Sequence, residues 1–319
     1  MARPKVLLTR RWPEAVERHL MERYDVTLNT ADIPLSNAAL HEAMRTQDAL
    51  CPTVTDSIGA DILTASGASV RIIGNYGVGT NHIDIAAARR SGMVVTNTPD
   101  VLTDSTADLA ILLMLMATRR AGEGERELRS QRWQGWRPTH LPGQSLSGKT
   151  LGLIGFGRIG QATAHRARAF GLRIAYCGRR RAPVDIEGAA HVDSIDELVA
   201  QSDVVSLHCP GGPQTHHLID ARRLGLMKST AVLINTARGS VVDEAALADA
   251  LAQGKIAAAG LDVYEREPEV TAKLLTLENV VLLPHLGSAT VETRVAMGMR
   301  VAQNLEHFFA GTVPPDKVE

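Results

Sequence analysis

The sequence predicts an α/β protein with two doubly wound, parallel-sheet domains. Short β-branched or aliphatic runs alternate with helical patterns along the whole chain, as parallel sheets built from βαβ units require. The chain has 319 residues, whereas single hydrophobic cores stop growing at roughly 250 to 300 residues. Its 45% hydrophobic and 22% charged residues are ordinary for a soluble globular protein. We therefore expect two domains with a cleft between them.

The first hundred residues contain five short strand candidates separated by helical patterns. Helices are expected over Glu14 to Arg23 and over Ser36 to Met44, and the Ser36 side chain is a suitable N-cap for the second. The strand candidates are Lys5 to Thr9, Asp25 to Leu28, Asp48 to Leu50, Val70 to Gly74 and Met93 to Asn97. Five strands are enough for one complete sheet.

A long helix is predicted next, from about Asp104 to Ala121. Pro99 and Asp100 interrupt the preceding pattern, and the centre of the helix is strongly apolar (LAILLMLMA). We interpret it as a buried helix that joins the two domains, and an ordinary core helix inside one domain is the alternative. A segment rich in turn-forming residues follows, from Ser130 to Lys149, with two nearby tryptophans.

The second half of the chain contains six further strand candidates, enough for a second doubly wound sheet. They are Leu151 to Ile154, Arg173 to Tyr176, Val204 to Leu207, Ala231 to Asn235, Ala257 to Leu261 and Val280 to Leu283. A last helical pattern, Thr290 to Phe309, has no obvious place in that sheet, so we expect it to return to the first domain. The predicted division is 1–100 plus 290–319 for the first domain, and 101–289 for the second domain.

Charge and cysteine content exclude several classes of protein. A formal net charge of -1 without a long basic block does not fit a nucleic-acid binder. Cys51, Cys177 and Cys209 are far apart and lack ligand spacing, so neither disulfides nor a metal site is expected. The first residues, MARPKVLLTRRWPE, are charged where a signal peptide would be apolar. The longest apolar run, Leu109 to Thr118, is shorter than the ~20 residues of a membrane span, so we expect a cytoplasmic protein without membrane association.

A glycine motif, G-F-G-R-I-G, directly follows the strand Leu151 to Ile154 and opens a helical run, Ile159 to Phe170. Gly155 allows the tight turn, Gly157 lets the backbone approach a pyrophosphate, and Gly160 lets helix and strand pack closely. The helix N-terminus then presents N–H groups and a positive dipole end to the phosphates. This context predicts a Rossmann dinucleotide-binding domain, whose turn also includes Phe156, Arg158 and Ile159.

The residues after the next strand bear on the choice of dinucleotide. NAD-binding domains carry an acid about 20 residues after the first glycine, where it holds the ribose 2'-hydroxyl. Here the sequence reads Cys177, Gly178, Arg179, Arg180, Arg181. No carboxylate is present to repel a 2'-phosphate, and the arginines can bind one, so NADP(H) is favoured and NAD(H) stays possible. The alternative is that these arginines form an ordinary solvated loop.

Three chemically distinct side chains follow successive strands of this second sheet. Arg238 follows the strand ending at Asn235, Glu267 follows Ala257 to Leu261, and His285 follows Val280 to Leu283. Loops beyond the carboxyl ends of parallel strands converge on the ligand crevice, so we expect the three to meet. Singly, each has a simpler interpretation: Arg238 as a surface ion pair, Glu267 as a turn acid before proline, and His285 as a satisfied polar residue at a strand end.

Together the three side chains fit hydride transfer to a 2-keto acid. The substrate carboxylate and carbonyl need a fixed cation, which Arg238 can supply by bidentate pairing. The nascent alkoxide needs a proton donor, and histidine titrates near neutrality. Glu267 would orient the imidazole and favour its protonated form.

The chain resembles the D-isomer-specific 2-hydroxyacid dehydrogenase family over nearly its full length. The resemblance implies a flavodoxin-like substrate domain beside the Rossmann domain, substrate binding by Arg238, and an acid/base pair of Glu267 and His285. The matching segments are Asn75 to Ile85, Lys149 to Gly160, Leu233 to Leu247, Gly260 to Pro268 and Leu283 to Thr290.

The same resemblance implies further binding residues. The backbone at Val78 and Gly79 would hold the substrate carboxylate, with Ser288 also at the substrate. The cofactor groove would be lined by Thr106, Cys209, Pro210, Thr215, Thr236, Ala237, Asp262 and Gly287.

Within the family, the segment from Trp133 to Pro138 is similar to glyoxylate/hydroxypyruvate reductases. There the tryptophan before the basic residue and proline reaches the active site across a subunit boundary, which implies Trp136 here and a homodimer. Aromatic packing at a domain or dimer interface is the alternative role for this side chain.

The similarity to glyoxylate/hydroxypyruvate reductases predicts that the protein reduces glyoxylate and hydroxypyruvate. Formate-oxidising relatives lack the glutamate partner of the histidine, so Glu267 argues against that activity.

Two other functions stay open on sequence grounds. One is another D-2-hydroxyacid dehydrogenase, such as a 3-phosphoglycerate or phosphite dehydrogenase. Phosphorylated substrates call for extra cations near the substrate loops. We also expect no appended regulatory domain, which weakens the 3-phosphoglycerate alternative. The other is a dinucleotide-sensing protein of the corepressor type, which shares the fold and the three residues but would need a partner-binding groove and tails.

Overall fold

The computed structural model describes residues 2–178, 186 and 188–318. Its strands are all short. Most strand candidates are found with ends shifted by one or two residues, and β8 was not predicted because it has only two residues. The strands are β1 Lys5–Leu8, β2 Asp25–Leu28, β3 Ala49–Cys51, β4 Ile72–Gly74, β5 Val94–Thr96, β6 Thr150–Ile154, β7 Arg173–Cys177, β8 Ala190–His191, β9 Val204–Leu207, β10 Val232–Asn235, β11 Ala258–Leu261 and β12 Val280–Leu282.

Helices connect these strands throughout the described residues. Ser36 caps α2 as expected, with its hydroxyl accepting a hydrogen bond from the Ala39 N–H at 3.3 Å. The helices are α1 Glu14–Met21, α2 Asn37–Thr46, α3 Ala60–Leu63, α4 Ile85–Arg90, α5 Thr103–Thr118, α6 Ala121–Arg129, α7 Arg158–Ala169, α8 Ile195–Gln201, α9 Ala221–Leu226, α10 Glu244–Ala252, α11 Ala272–Leu275 and α12 Val291–Phe309. None of the described helices is long and apolar enough to cross a membrane.

The chain divides into two compact units, residues 1–102 with 289–319 and residues 103–288. The sequence-based division was 1–100 with 290–319 and 101–289. Unit 1 contains a parallel sheet in the order β2-β1-β3-β4-β5, which is the flavodoxin-like order. Unit 2 contains a parallel sheet in the order β12-β11-β10-β9-β6-β7-β8. The predicted α/β class with two doubly wound sheets is therefore confirmed.

The last helix, α12, packs within unit 1 because two glycines let it approach closely. A Cβ at Gly74 on β4 would lie 2.7 Å from Val301 on α12. A Cβ at Gly298 on α12 would lie 2.6 Å from Val16 on α1. The expected return of the C-terminal helix to the first domain is thus observed.

Helix α5 packs within unit 2, against α7 and the strands β10 and β11. Its Leu113 and Met114 are fully buried, and a Cβ at Gly260 of β11 would lie 2.9 Å from Leu113. The helix follows the boundary between the units in sequence, but its apolar side chains fill the core of one unit. The alternative interpretation, a core helix inside one domain, is the one that fits.

In unit 2 the strand order reverses between β6 and β9. The loops beyond the carboxyl ends of these two strands flank the crevice where doubly wound sheets bind their ligands. The glycine motif follows β6, and Cys209 lies two residues beyond β9. The arrangement of strands therefore places the predicted phosphate-binding turn at the reversal point.

Candidate active site

The three motif glycines meet three different constraints in the turn after β6. Gly155 has a φ of +91°, and a Cβ there would lie 2.7 Å from the backbone of His208 and Cys209. A Cβ at Gly160 would overlap the Gly155 carbonyl oxygen, so a side chain would push helix α7 away from β6. A Cβ at Gly157 would meet no atom of the described structure within 4 Å. Protein packing therefore explains Gly155 and Gly160, whereas Gly157 leaves space that a pyrophosphate can use.

Helix α7 begins at this turn without a capping side chain. Gly157 is its N-cap and supplies no side-chain hydrogen bond to the first turn of the helix. The Phe156 side chain turns into the core, where it stacks on Tyr176 with ring centroids 4.0 Å apart. Phe156 therefore anchors the turn, and only its backbone is placed to bind a cofactor.

The loop after β9 lies against the glycine turn. His208 Nε2 and Ser206 Oγ are joined by a hydrogen bond of 2.9 Å. Burial lowers the pKa of the His208 imidazole to about 4. Burial likewise raises the pKa of the Cys209 thiol to about 11. The Thr215 hydroxyl donates to the Pro210 carbonyl oxygen at 2.7 Å. Thr215 thus closes the loop that starts at Cys209.

The turn after β10 presents Arg238 and is held by Asn235, a residue that the sequence did not single out. The Asn235 amide nitrogen donates to the Arg238 carbonyl oxygen at 2.9 Å, and its oxygen accepts from the Ala237 N–H at 3.0 Å. The buried Thr236 hydroxyl has no hydrogen-bond partner among the described residues. An orphaned hydroxyl of this kind fits a groove that a bound cofactor would complete.

Gly239 allows the Arg238 turn to lie directly against the segment that carries Glu267. A Cβ at Gly239 would overlap the backbone carbonyl of Tyr264 and approach the Glu265 nitrogen. Any larger residue would therefore separate the two segments. The glycine after the arginine is thus required for the site to assemble.

Asp262, just beyond β11, holds the turn that contains His285. Its two carboxylate oxygens accept the N–H groups of Leu286 at 2.6 Å and Gly287 at 2.8 Å. Burial raises the pKa of Asp262, and these hydrogen bonds together with the nearby His285 oppose part of the shift. The Gly287 carbonyl oxygen accepts from the Thr106 hydroxyl at 3.2 Å. Asp262 and Thr106 therefore position the loop that carries His285.

Glu267 and His285 form a direct pair. His285 Nδ1 lies 2.7 Å from Glu267 Oε2, and Glu267 Oε1 accepts the Tyr264 N–H at 3.0 Å. Burial alone would raise the pKa of the Glu267 carboxyl group. Its hydrogen bonds to His285 and to the Tyr264 N–H, together with the positive charges of His285 and Arg238, have a larger effect in the opposite direction. The net result is a lowered pKa for Glu267. Glu267 is therefore ionised near neutral pH and accepts from Nδ1, which leaves Nε2 of His285 for a substrate.

His285 adopts a left-handed backbone conformation, with a φ of +55°. Such a conformation is uncommon for residues other than glycine, although asparagine, aspartate and histidine adopt it more often than the rest, and hydrogen bonds from neighbours stabilise it here. The Asp262 carbonyl oxygen accepts the His285 N–H at 2.9 Å, and the Asp262 carboxylate fixes the next two residues. The imidazole is therefore aimed by the backbone as well as by Glu267.

Arg238 lies beside this pair and is itself partly buried. Its Nη1 donates to the Ala237 carbonyl oxygen at 2.7 Å. Burial lowers the pKa of the guanidinium, and the negative charge of Glu267 opposes that shift. Unit 2 thus brings together the cation, the carboxylate and the histidine predicted from three successive strands.

Several predicted residues are placed away from this cluster or outside the described part of the chain. Gly178 directly follows β7, whereas Arg179, Arg180 and Arg181 lie outside the described residues. Ser288 is half-buried at the end of unit 2. The Trp136 side chain is 81% exposed in the single chain.

The predicted carboxylate-binding loop belongs to unit 1, and two asparagines hold it. Asn97 donates to the Val78 carbonyl oxygen at 2.8 Å, and Asn75 donates to the Gly79 carbonyl oxygen at 3.0 Å. His82 Nε2 lies 2.9 Å from the Asn75 side-chain oxygen. These side chains hold the loop in place through its carbonyl groups.

The fold and the unit 2 site define a dinucleotide-dependent dehydrogenase. A family model described as the NAD binding domain of D-isomer specific 2-hydroxyacid dehydrogenases matches residues 111–287. The glyoxylate reductase of Thermococcus litoralis is 46% identical over 322 residues, which cover 99% of this chain and 97% of that protein. The chain belongs to the D-isomer specific 2-hydroxyacid dehydrogenase family, which confirms the resemblance seen in the sequence.

Solved structures agree with this assignment. A glyoxylate reductase from Paecilomyes thermophila has a TM-score of 0.89 and 35% identity, covering 100% of this chain and 99% of that chain. An NADPH-dependent glyoxylate/hydroxypyruvate reductase from Sinorhizobium meliloti, in complex with NADP and malonate, has a TM-score of 0.89 and 38% identity. It covers 99% of this chain and 97% of that chain.

Proposed function

We propose that this protein reduces glyoxylate to glycolate and hydroxypyruvate to D-glycerate, with NADPH preferred and NADH possible as the hydride donor. The observation that carries the proposal is the 2.7 Å pair between His285 and Glu267 beside Arg238. The similar proteins named as glyoxylate reductases support the substrate class. Catalytic roles for Arg238, Glu267 and His285 follow from the chemistry of these groups.

His285 supplies the proton in this mechanism. In the imidazolium form both ring nitrogens carry protons, and Glu267 accepts the one on Nδ1. Nε2 then donates its proton to the substrate carbonyl oxygen as that oxygen becomes an alkoxide. When bound, the reduced nicotinamide supplies the hydride, whose electron pair forms the new C–H bond at C2. The neutral His285 must regain a proton before the next cycle.

Arg238 binds and polarises the substrate. Its guanidinium can pair with the carboxylate and the adjacent carbonyl oxygen of a 2-keto acid, which holds C2 in one orientation. The same positive charge stabilises the negative charge that develops on the carbonyl oxygen. The Val78 and Gly79 backbone of unit 1 and Ser288 are further proposed substrate contacts.

The dinucleotide would be held by the turn after β6 and the loops after β9 and β10. The space at Gly157, the uncapped start of α7 and the orphaned Thr236 hydroxyl fit such a ligand. These features serve NADP(H) and NAD(H) equally, because they concern the pyrophosphate and nicotinamide halves.

A substrate panel tests the proposed activity. Purified protein with NADPH should turn over glyoxylate and hydroxypyruvate, read as loss of NADPH absorbance, with higher kcat/KM than for pyruvate or 3-phosphohydroxypyruvate. Phosphite with NADP+ should give no reduction of the cofactor. Preference for the phosphorylated substrate or for phosphite would favour the other dehydrogenases, and no turnover of any keto acid would favour a dinucleotide-sensing protein.

The arginines after Gly178 are the proposed source of NADP preference. Replacing Arg179 and Arg180 by alanine should raise KM for NADPH by about tenfold or more, since each lost charge-assisted contact contributes about 1.5 to 3 kcal/mol. KM for NADH should change little, because NADH carries no 2'-phosphate. Arg173→Ala, on the exposed start of β7, is the matched control. An unchanged ratio of the two KM values in the double variant would contradict the 2'-phosphate role.

We further propose a cytoplasmic homodimer that contacts small 2-keto or 2-hydroxy acids rather than nucleic acid or membrane. The three free cysteines fit a reducing compartment. Unit 2 exposes large apolar side chains, which are typical of protein interfaces. These are Leu112, Leu128, Trp133 and Trp136. Under this proposal Trp136 reaches the partner's substrate site or packs in the interface.

A further inference from the structure

The strongest unassigned cluster lies in unit 2 and joins two neighbouring histidines to a glutamate far along the chain. His216, His217 and Glu265 each offer a ligand atom, and these atoms all lie within 4.8 Å of one another. His217 Nε2 is 2.7 Å from Glu265 Oε1. Two imidazoles and one carboxylate form a donor set that suits zinc and related divalent transition metals.

His216 and His217 are adjacent residues in a turn, so their side chains need not point to opposite sides as they do in an extended strand. His217 has a φ of +47°, in the left-handed region that residues other than glycine enter mainly in turns. The two rings lie stacked, with centroids 4.0 Å apart and an interplanar angle of 26°. The stacking brings a second imidazole next to the pair of His217 and Glu265.

The second ring nitrogen of His217 faces another carboxylate. His217 Nδ1 lies 4.0 Å from Asp243 Oδ2, while Asp243 Oδ1 caps helix α10 by accepting the Ala246 N–H at 2.9 Å. Metal-binding histidines commonly direct their other nitrogen to a carboxylate, which fixes the ring and its tautomer. At 4.0 Å the Asp243 carboxylate is too far for a hydrogen bond, but its negative charge favours a proton on Nδ1 and so leaves Nε2 for coordination.

The segment from Ser240 to Glu244, which leads into α10, anchors both halves of the cluster. The His217 N–H donates to the Ser240 carbonyl oxygen at 2.8 Å. The Glu265 N–H donates to the Glu244 carboxylate, which also accepts from the Thr271 hydroxyl at 2.7 Å. The ligand-bearing segments are thus held before any ion arrives, which reduces the entropy cost of binding.

We propose that His216, His217 and Glu265 form a binding site for a divalent transition metal ion of the zinc class. Zinc–ligand bonds of about 2.0 to 2.2 Å place tetrahedral ligands roughly 3.4 Å apart. The exposed His216 ring can turn to close the remaining distance. An ordinary hydrogen-bonded pair would account for His217 and Glu265 but not for the stacked His216. This site departs from the expectation of no metal, which considered the spacing of the cysteines.

Metal titration of the full-length protein tests the site. After chelator treatment and buffer exchange, isothermal calorimetry with Zn²⁺ should give one ion bound per chain through this cluster. His216→Gln and Glu265→Gln should lose that binding. Asp243→Asn should weaken it by about tenfold or more, the size expected for an outer partner of a metal ligand. Asparagine still caps α10, so this variant should fold normally.

His19→Gln is the matched control, because His19 Nε2 and Glu306 Oε1 form a 3.3 Å pair in unit 1 outside this cluster. That variant should bind Zn²⁺ like the wild type. Zn²⁺ should also raise the Tm of the wild type and of His19→Gln, but not of His216→Gln, since an ion that binds only the folded state stabilises it. Absence of stoichiometric binding, or binding unchanged in His216→Gln and Glu265→Gln, would overturn the proposal.

Discussion

Replacing Arg238 by alanine is expected to lower kcat/KM for glyoxylate by about 10³-fold, because a positioned charge on the developing oxyanion is lost. Arg238→Lys should recover only part of that loss, since an ammonium group keeps the charge but not the bidentate geometry. Steady-state kinetics with both variants measures the effect. NADPH affinity, followed by fluorescence titration, should stay unchanged in both.

The control for this prediction is Arg266→Ala, an exposed arginine in the loop that also carries Glu267. It removes a nearby positive charge without touching the proposed substrate contact, so its kcat/KM should stay close to wild type. If Arg266→Ala were as damaging as Arg238→Ala, a general field effect would replace the specific role given to Arg238. Loss of NADPH binding in Arg238→Ala would place the arginine at the cofactor instead.

Replacing His285 by asparagine should lower kcat by about 10²- to 10⁴-fold, the range for loss of a general acid. Asparagine tolerates the left-handed conformation of this residue, so the turn held by Asp262 should survive. The measurement is kcat for glyoxylate reduction, with NADPH binding as the check on folding.

Glu267→Gln is the companion variant for His285. A glutamine keeps an oxygen that can accept from Nδ1 but removes the negative charge, so the loss should be smaller than for His285→Asn. Near-normal kcat in His285→Asn would show that another group or water supplies the proton. A larger loss in Glu267→Gln than in His285→Asn would contradict the proposed order of roles.

The strands and the glycine turn could be predicted because their signals are local. Gly155, Gly157 and Gly160 lie within six residues of one another, directly after an apolar run. The convergence of Arg238, Glu267 and His285 could be predicted because parallel strands end at one edge of the sheet. β8 could not, because two residues carry no periodic pattern.

The residues that hold the loops of the site in place could not be predicted from the sequence, whereas the residues proposed to contact the substrate could. Asn235 acts through hydrogen bonds to two neighbouring backbone groups, and Asn97 through one to Val78, 19 residues away. Nothing in their spacing distinguishes them from ordinary turn asparagines. Asp262 is predicted at the cofactor groove, and the structure adds that its carboxylate accepts the N–H groups of the His285 turn.

The cluster of His216, His217 and Glu265 likewise could not be predicted from the sequence. His217 and Glu265 are 48 residues apart, and His216 and His217 lie in a turn in which their rings stack. A pattern search for metal ligands uses regular spacing along a helix or strand. Such a search cannot detect a conformation that the surrounding fold imposes.

We expect direct hydride transfer to C2 of a 2-keto acid, on the face that gives a D-2-hydroxy acid. The most direct test is the product formed from hydroxypyruvate with NADPH deuterated at both hydride positions of the nicotinamide, resolved by chiral chromatography and mass spectrometry. We predict D-glycerate carrying one deuterium at C2. L-glycerate, or glycerate without deuterium at C2, would contradict the account.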